Sequence, residues 1–144
     1  MQQIRDLVKE DPKAIWLVAD MAYPATNIPA MAGADCLNTT QTYPQKTRWE
    51  MLDQEGECED IYNRYCHIRA SLGRKTMLEL VSTDYVEVTL SPEDLKKLNI
   101  RYIVSTNDFD EKIAARTTNI FTDSGIEFQK YYEGTQLSIY GCVY

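Results

Sequence analysis

The sequence predicts an α+β fold, in which short helices pack on a mixed β-sheet that ends in a C-terminal β-hairpin. Three observations carry this prediction. A helix-like opening leads into the apolar run at residues 14–19, a helix-start signal at Ser91-Pro92 leads into a second apolar run, and alternating patterns fill the second half. Because 144 residues suit one hydrophobic core, and no repeat or low-complexity tract interrupts them, we interpret residues 1–144 as one domain.

The first elements are a predicted helix over residues 2–10 and a strand over residues 14–19. Ile4, Leu7 and Val8 recur at helical spacing, and Pro12 stops the helix. The continuous apolar run that follows is typical of a strand covered on both faces. Asp20 stands at its carboxyl end, where α/β folds place functional carboxylates, although a role as a turn cap fits equally well.

Residues 21–67 form an irregular segment that is too aromatic for a linker and too polar for the core. Thr47 and Glu50 match a capping box, which predicts a helix near residues 48–53, and residues 58–65 are a second helical candidate. Loops of this length are usually functional or disordered, and disordered segments contain few aromatic residues. We therefore expect this segment to be an ordered surface that binds a ligand.

The second half of the chain is predicted to consist of strands joined by turns. One predicted helix precedes the strand at residues 100–105, and another follows it. Strand patterns occur at residues 67–72, 76–81, 84–90, 100–105, 126–132 and 135–143. Ser82-Thr83 and Glu133-Gly134 are the predicted hairpin turns. Ser91-Pro92 begins a helix with a serine cap and a proline in its first turn, and Asp108 caps another that runs to residue 116.

The charge of the chain disfavours several classes of partner. Twenty-two acidic residues against fifteen basic ones give a net charge of -7, which repels phosphate backbones and anionic membrane surfaces, so no nucleic-acid partner is expected. No window approaches the roughly 18 apolar residues of a membrane-spanning helix, and no signal peptide is recognisable. The helix-like start fits either a cytosolic protein or a soluble piece of a longer membrane protein.

The cysteine pattern predicts neither a metal site nor a redox centre, and no sequence feature predicts a bound cofactor. Cys36, Cys58, Cys66 and Cys142 contain no Cys-x-x-Cys pair, and one histidine is too few for the usual zinc sites. A disulfide among the first three is possible in an oxidising compartment. We favour buried free thiols, because small free cysteines are among the most buried residues.

No arrangement of residues predicts a catalytic group. His67 is the only histidine, and Cys66 beside it would point to the opposite face of a strand. The chain has no Gly-x-Ser-x-Gly elbow and no glycine-rich phosphate loop. The acidic residues between positions 50 and 60 bunch as on a solvated helix face, so paired-carboxylate hydrolysis is disfavoured.

The aromatic and amide side chains of residues 21–67 point instead to carbohydrate. Sugars present apolar C–H faces, which suit aromatic rings, and hydroxyl groups, which suit amides, carboxylates and guanidinium groups. The candidate ligand-binding residues are Asp20, Asn38, Gln41, Tyr43, Trp49, Tyr62, Asn63, Arg64 and His67. The alternative is that Trp49, Tyr62 and Tyr65 are core residues.

Two passages carry a family resemblance. One runs from residue 33 to 68 and includes Tyr43-Pro44, Trp49 and the Tyr-Asn-Arg-Tyr series at 62–65; the other is the helix and strand at residues 94–105. Their order resembles the C-terminal soluble extracytoplasmic domain of bacterial multi-spanning glycosyltransferase-C-like membrane proteins of the YfhO-like group. The similarity covers about residues 14–144.

The resemblance implies a setting for the chain. It would be an excised, non-catalytic accessory domain on the extracytoplasmic face of a bacterial membrane, where it binds or positions a cell-envelope glycan. Its partner would be the membrane-embedded remainder of the same polypeptide. The family's catalytic carboxylate would lie upstream, on a membrane-proximal loop, and no such segment is present here. The alternatives are a structural protein-interaction module and a stand-alone cytosolic enzyme that uses Asp20 and His67.

Overall fold

The computed structural model describes residues 1–117 and 120–144, with the side chains of residues 116 and 117 excepted, and it has the predicted α+β architecture. The strands are β1 (Ile15–Val18), β2 (Asp35–Cys36), β3 (His67–Leu72), β4 (Met77–Ser82), β5 (Tyr85–Leu90), β6 (Ile100–Thr106), β7 (Glu127–Glu133) and β8 (Leu137–Val143). The helices are α1 (Gln2–Glu10), α2 (Ile28–Met31), α3 (Lys46–Leu52), α4 (Glu59–Tyr62), α5 (Pro92–Lys97), α6 (Phe109–Thr117) and α7 (Ile120–Asp123).

The strands form two mixed sheets, where the sequence led us to expect one. The five-stranded sheet has the order β2-β1-β6-β8-β7, with the first three strands parallel and the C-terminal hairpin antiparallel, as predicted. The three-stranded sheet has the order β3-β5-β4, with β3 parallel and β4 antiparallel to β5. An isolated parallel bridge between Ala19 and Ala70 joins the two sheets. Residue patterns determine which face of a strand is buried but not which strand lies beside it.

Strand β1 is buried on both faces, as its apolar run predicts. Trp16 and Val18 pack in one hydrophobic cluster with Ile4 of α1, while Leu17 and Ala19 face a second, larger cluster. That larger cluster contains the buried faces of the three-stranded sheet and residues of α3, α5, α6 and α7. The five-stranded sheet is therefore the middle layer, with α1 on one side and the three-stranded sheet on the other.

Of the two predicted helix starts at Ser91 and Thr47, the structure confirms only the first. Ser91 caps α5 as predicted, because its hydroxyl accepts a hydrogen bond from the Asp94 backbone N–H at 3.2 Å. The capping box at Thr47 was wrong: α3 begins at Lys46 and its N-cap, Gln45, makes no side-chain cap bond. The second helical candidate is limited to α4. Among the described residues, every helix is too short or too polar to span a bilayer.

Candidate functional site

Asn38 joins the two sheets from the inside of the molecule. Its amide oxygen accepts a hydrogen bond from the Val18 backbone N–H, and its amide nitrogen donates to the Val18 carbonyl, both at 2.8 Å. The same nitrogen lies 3.4 Å from the Ile68 carbonyl. The side chain is fully buried and occupies the place of a strand partner beside the end of β1. Its amide satisfies backbone groups that would otherwise be buried without partners.

Gln41 is the centre of a second buried group. Its amide nitrogen donates to the backbone carbonyls of Tyr62 and Arg64, at 2.7 and 2.8 Å. Its amide oxygen accepts a hydrogen bond from the Trp49 indole N–H at 2.7 Å. The Trp49 and Tyr62 rings stack with their centroids 5.6 Å apart, and both side chains are almost completely buried.

These contacts correct the expectation that the aromatic and amide residues form one exposed platform. Asn38, Gln41, Trp49 and Tyr62 lie in the interior, and the alternative reading of Trp49 and Tyr62 as core residues is confirmed. Their polar groups bond to the protein because a buried amide or indole N–H without a partner is costly. They hold residues 36–66 against the sheets.

The remaining candidates from the segment differ in their surroundings. Arg64 uses its guanidinium to donate to the backbone carbonyls of Ile61 and Thr83, at 3.0 and 3.1 Å, and thereby ties α4 to the turn between β4 and β5. Tyr43 is 84% exposed, at the rim of a cleft that Gln41 and Trp49 also line. Asn63 is exposed at the end of α4.

The side of the three-stranded sheet that faces away from the core carries a different set of residues. We call this side the open face; it consists of His67, Arg69 and Ser71 from β3, Tyr85, Glu87 and Thr89 from β5, and Met77 and Glu79 from β4. The residues that alternate with those of β3 and β5 are buried in the larger cluster. Because side chains on a strand alternate between two faces, the same pattern that builds the core leaves the open face available.

One end of the open face is aromatic. The Tyr23 ring packs on His67 with centroids 4.1 Å apart, and Tyr65 approaches the His67 ring edge-on at 5.7 Å. Tyr23 and Tyr65 are 51% and 52% exposed. The Thr40 hydroxyl lies 3.0 Å from His67 Nδ1 and also accepts a hydrogen bond from the Asn27 amide nitrogen. This arrangement fixes the imidazole ring and suits the tautomer with its proton on Nε2.

The other end is polar and charged. The side chains of Arg69 and Glu87 are paired across β3 and β5, with 3.6 Å between Nη1 and Oε1, and both are more than two-fifths exposed. The Ser71 and Thr89 hydroxyls lie 3.4 Å apart on the next row. Asp20, Arg69, Ser71 and Glu87 line one depression, which brings a candidate carboxylate from the end of β1 to the open face.

Asp20 has a strained backbone at a junction of the fold. Its φ is +62°, in the left-handed region that aspartate tolerates better than most residues, and its N–H donates to the Ala70 carbonyl at 2.8 Å. The chain adds β2 on one side of β1 and β6 on the other. Asp20 thus follows β1 at a topological switch point, where open α/β sheets bind their ligands.

The chemistry that this face offers is recognition through stacking and hydrogen bonding. The aromatic end presents ring surface, and the polar end presents a guanidinium, carboxylates and hydroxyls. Cys66, the neighbour of His67 in sequence, lies on the buried side, and burial raises the pKa of its thiol to about 11. The thiol is therefore protonated at neutral pH and a poor nucleophile.

The other three cysteines are also free thiols with raised pKa values. All four cysteines are free, as we favoured from the sequence, and burial raises the pKa of both Cys36 and Cys142 to about 12. Cys58 is partly exposed, and its pKa is also raised, by burial and by the Asp53 carboxylate. Within residues 1–117 and 120–144, no group of three or more His, Cys, Asp or Glu side chains suits a metal ion.

Sequence reasoning identified Asp20 and His67 but missed the residues around them. Tyr23, Arg69, Ser71 and Glu87 were not among the candidates. The signal was available in part, because residues 67–72 and 85–90 alternate polar and apolar side chains in the same phase. Seeing that the two polar rows adjoin requires the parallel pairing of β3 with β5, which skips the intervening β4.

A family model described as a domain of unknown function, DUF7654, matches residues 1–144. No curated protein and no solved structure matches the chain.

Proposed function

The chain belongs to the DUF7654 family, and we propose that it is a non-catalytic domain that binds a glycan on its open face. The observation that carries this proposal is the placement of the Tyr23–His67 ring pair at one end of the face and the Asp20, Arg69 and Glu87 side chains at the other. Sugar recognition needs both kinds of surface, because a pyranose ring has apolar C–H faces and a polar rim of hydroxyls.

The charged end suits hydroxyl groups because its groups are held in place without being buried. An exposed ion pair such as Arg69–Glu87 contributes about 0–1 kcal/mol to stability. Exchanging part of that interaction for hydrogen bonds to sugar hydroxyls therefore costs little. Charge-assisted hydrogen bonds are stronger than neutral ones, so these residues favour a polyhydroxylated ligand.

The setting that we propose is the extracytoplasmic face of a bacterial membrane, next to a membrane-embedded glycosyltransferase-like remainder of the same polypeptide. The support for this setting is the resemblance described above. The ligand would then be a cell-envelope glycan that the domain positions for the membrane enzyme. The net charge of -7 supports a neutral or cationic glycan over a strongly anionic polymer.

The direct test is an NMR titration of the ¹⁵N-labelled chain with a panel of cell-wall oligosaccharides. We expect shift changes at residues 20–23, 67–71 and 85–89, with affinities between about 1 mM and about 1 μM. Tyr23→Ala should weaken binding about two- to tenfold, because an aromatic contact of this kind is worth about 0.5–1.5 kcal/mol. Tyr43→Ala is the matched control, since it removes an exposed tyrosine outside the open face, and it should leave the affinity unchanged.

Two results would contradict the proposal. Shift changes confined to the cleft beside Tyr43 and Trp49 would move the site off the open face. An absence of any shift across the panel, with the chain folded, would remove glycan binding as its function.

A further inference from the structure

The outer edge of the three-stranded sheet is an unpaired strand with apolar side chains. β4 is the last strand in the order β3-β5-β4, so its backbone N–H and C=O groups on the outer side have no strand partner among the described residues. Met77, Leu80 and Val81 are 55%, 40% and 54% exposed. A long apolar edge of this kind is a template for pairing with another strand.

β7, the outer strand of the C-terminal hairpin, is protected against edge-to-edge pairing by charged side chains, and β4 has fewer of them. β7 forms one edge of the five-stranded sheet and carries Glu127, Lys130 and Glu133. Charged residues on an edge strand are a common means of preventing edge-to-edge contacts. β4 carries only Glu79 along its length. The difference leaves the edge of β4 open to pairing with another strand.

The charges at the two ends of β4 select that partner. Arg74 and Lys75 precede the strand and Asp84 follows it, and all three are exposed. In an antiparallel pair of two β4 strands, the basic end of each copy lies beside the acidic end of the other. A parallel pair in register would place like charges together at both ends of the strand, whereas the antiparallel pair does so only near its centre, where the two Glu79 side chains meet. We propose that β4 pairs antiparallel with β4 of a second copy of this chain.

This pairing would give a continuous six-stranded sheet with two-fold symmetry. The two-fold axis of such an isologous contact is perpendicular to the plane of the sheet, so the open faces of both copies lie on the same side. The dimer would therefore present two ligand faces to one surface, and this consequence, unlike the dimer itself, rests on the proposed function. Two linked sites gain affinity for a repeating polymer through effective concentration.

Sedimentation velocity of the ligand-free chain tests the dimer independently of glycan binding. As the protein concentration increases from about 1 μM to about 1 mM, we expect the sedimenting mass to rise toward twice the 16.6 kDa of one chain. Val81→Lys should weaken association at least tenfold. Val81 is exposed and lies at the register shift between β4 and β5, so this change spares the pairing within the chain. Gln129→Lys, which adds the same charge to β7, is the matched control and should not change association.

Charge reversal tests whether the two β4 strands pair in the antiparallel orientation. Arg74→Glu with Lys75→Glu, or Asp84→Lys alone, should weaken the dimer about three- to tenfold, because each brings like charges together. The combined triple variant should restore it. Circular dichroism and thermal melting check that each variant is folded.

Hydrogen exchange gives a second readout that does not depend on any variant. The outward amides of β4 should become more protected as the protein concentration rises. A chain that stays monomeric at about 1 mM, or a dimer indifferent to both Val81→Lys and charge reversal, would overturn the proposal and leave the edge to a strand of another protein.

Discussion

The two sheets of this protein differ in how many of their faces are covered. The inner strands of the five-stranded sheet are covered on both faces, so β8 is buried along most of its length despite its alternating sequence. The three-stranded sheet is covered on one face, and β3 and β5 therefore alternate between buried residues and residues that are partly or fully exposed. In a strand between two layers, the side chains on both faces pack against the protein. In a strand of an outer layer, about half of the side chains face outward and can contact a ligand.

The segment at residues 21–67 repeats this division on a smaller scale. Its amide and indole groups at Asn38, Gln41 and Trp49 bond within the protein. Its rings at Tyr23 and Tyr65 remain half exposed beside His67. The same residue types thus do structural work in one place and form a surface in another, and the following experiments separate the two.

The largest effect is expected from truncation of the buried ring pair. The double change Trp49→Ala and Tyr62→Ala should abolish the folded state, because each large-to-small change costs about 3–5 kcal/mol and a domain has only about 5–15 kcal/mol in total. Circular dichroism and urea unfolding measure this loss. Tyr43→Ala is the control and should change stability by less than about 0.5 kcal/mol. A folded double variant would show that the ring pair is not a core element.

The second comparison sets a buried asparagine against an exposed one. Asn38→Ala should lower the free energy of unfolding by about 2–3 kcal/mol, because it leaves the Val18 N–H and C=O without their partners in the interior. Asn63→Ala, at an exposed position, should change it by less than about 0.5 kcal/mol. Urea denaturation of both variants measures the contrast, and equal effects would contradict the structural role of Asn38.

Alkaline pH should lower the stability of the protein through the buried thiols of the five-stranded sheet. The pKa of Cys36 and of Cys142 is raised by burial from 9.0 to about 12, so between these values the unfolded chain releases protons that the folded chain keeps. The stability is therefore complete below about pH 9 and falls as the pH rises toward 12, by up to about 3 kcal/mol per thiol at about pH 11. Burial also raises the pKa of Tyr140, which acts in the same direction.

The double variant Cys36→Ala and Cys142→Ala isolates the thiol contribution to this pH dependence. Urea unfolding at about pH 8 and about pH 11 should show a smaller loss of stability in the variant than in the parent chain. Equal losses in the two proteins would assign the pH dependence to the tyrosines alone.

The smallest effect on stability is expected at the charged end of the open face. Arg69→Met should lower the free energy of unfolding by less than about 1 kcal/mol, because the Arg69–Glu87 pair is exposed. The same change should weaken glycan binding several-fold, which the NMR titration measures. A variant that loses stability without losing affinity would make Arg69 part of the scaffold instead of the ligand surface.

Much of the secondary structure was predictable from local patterns. The apolar run at β1, the alternation of β3, the hairpin of β7 and β8, and the Ser91 cap of α5 are signals that lie within a few residues of one another. The start of α3 was mistaken at Thr47, because a capping motif states a preference that neighbouring contacts can override. The pairing of β3 was not predictable, since β3 pairs with β5 and not with β4, its neighbour in the sequence.

The sequence by itself determined the α+β class, the buried faces of β3 and β5 and the unusual aromatic content of residues 21–67, because periodicity and composition are properties of nearby residues. Only the tertiary structure decided that Asn38 and Gln41 are interior partners and that Tyr23, His67, Arg69 and Asp20 share one surface. Whether an amide serves the backbone or a ligand depends on which distant carbonyl lies within hydrogen-bonding distance. That distance is set by how the two sheets pack and not by the neighbours of the amide in the chain.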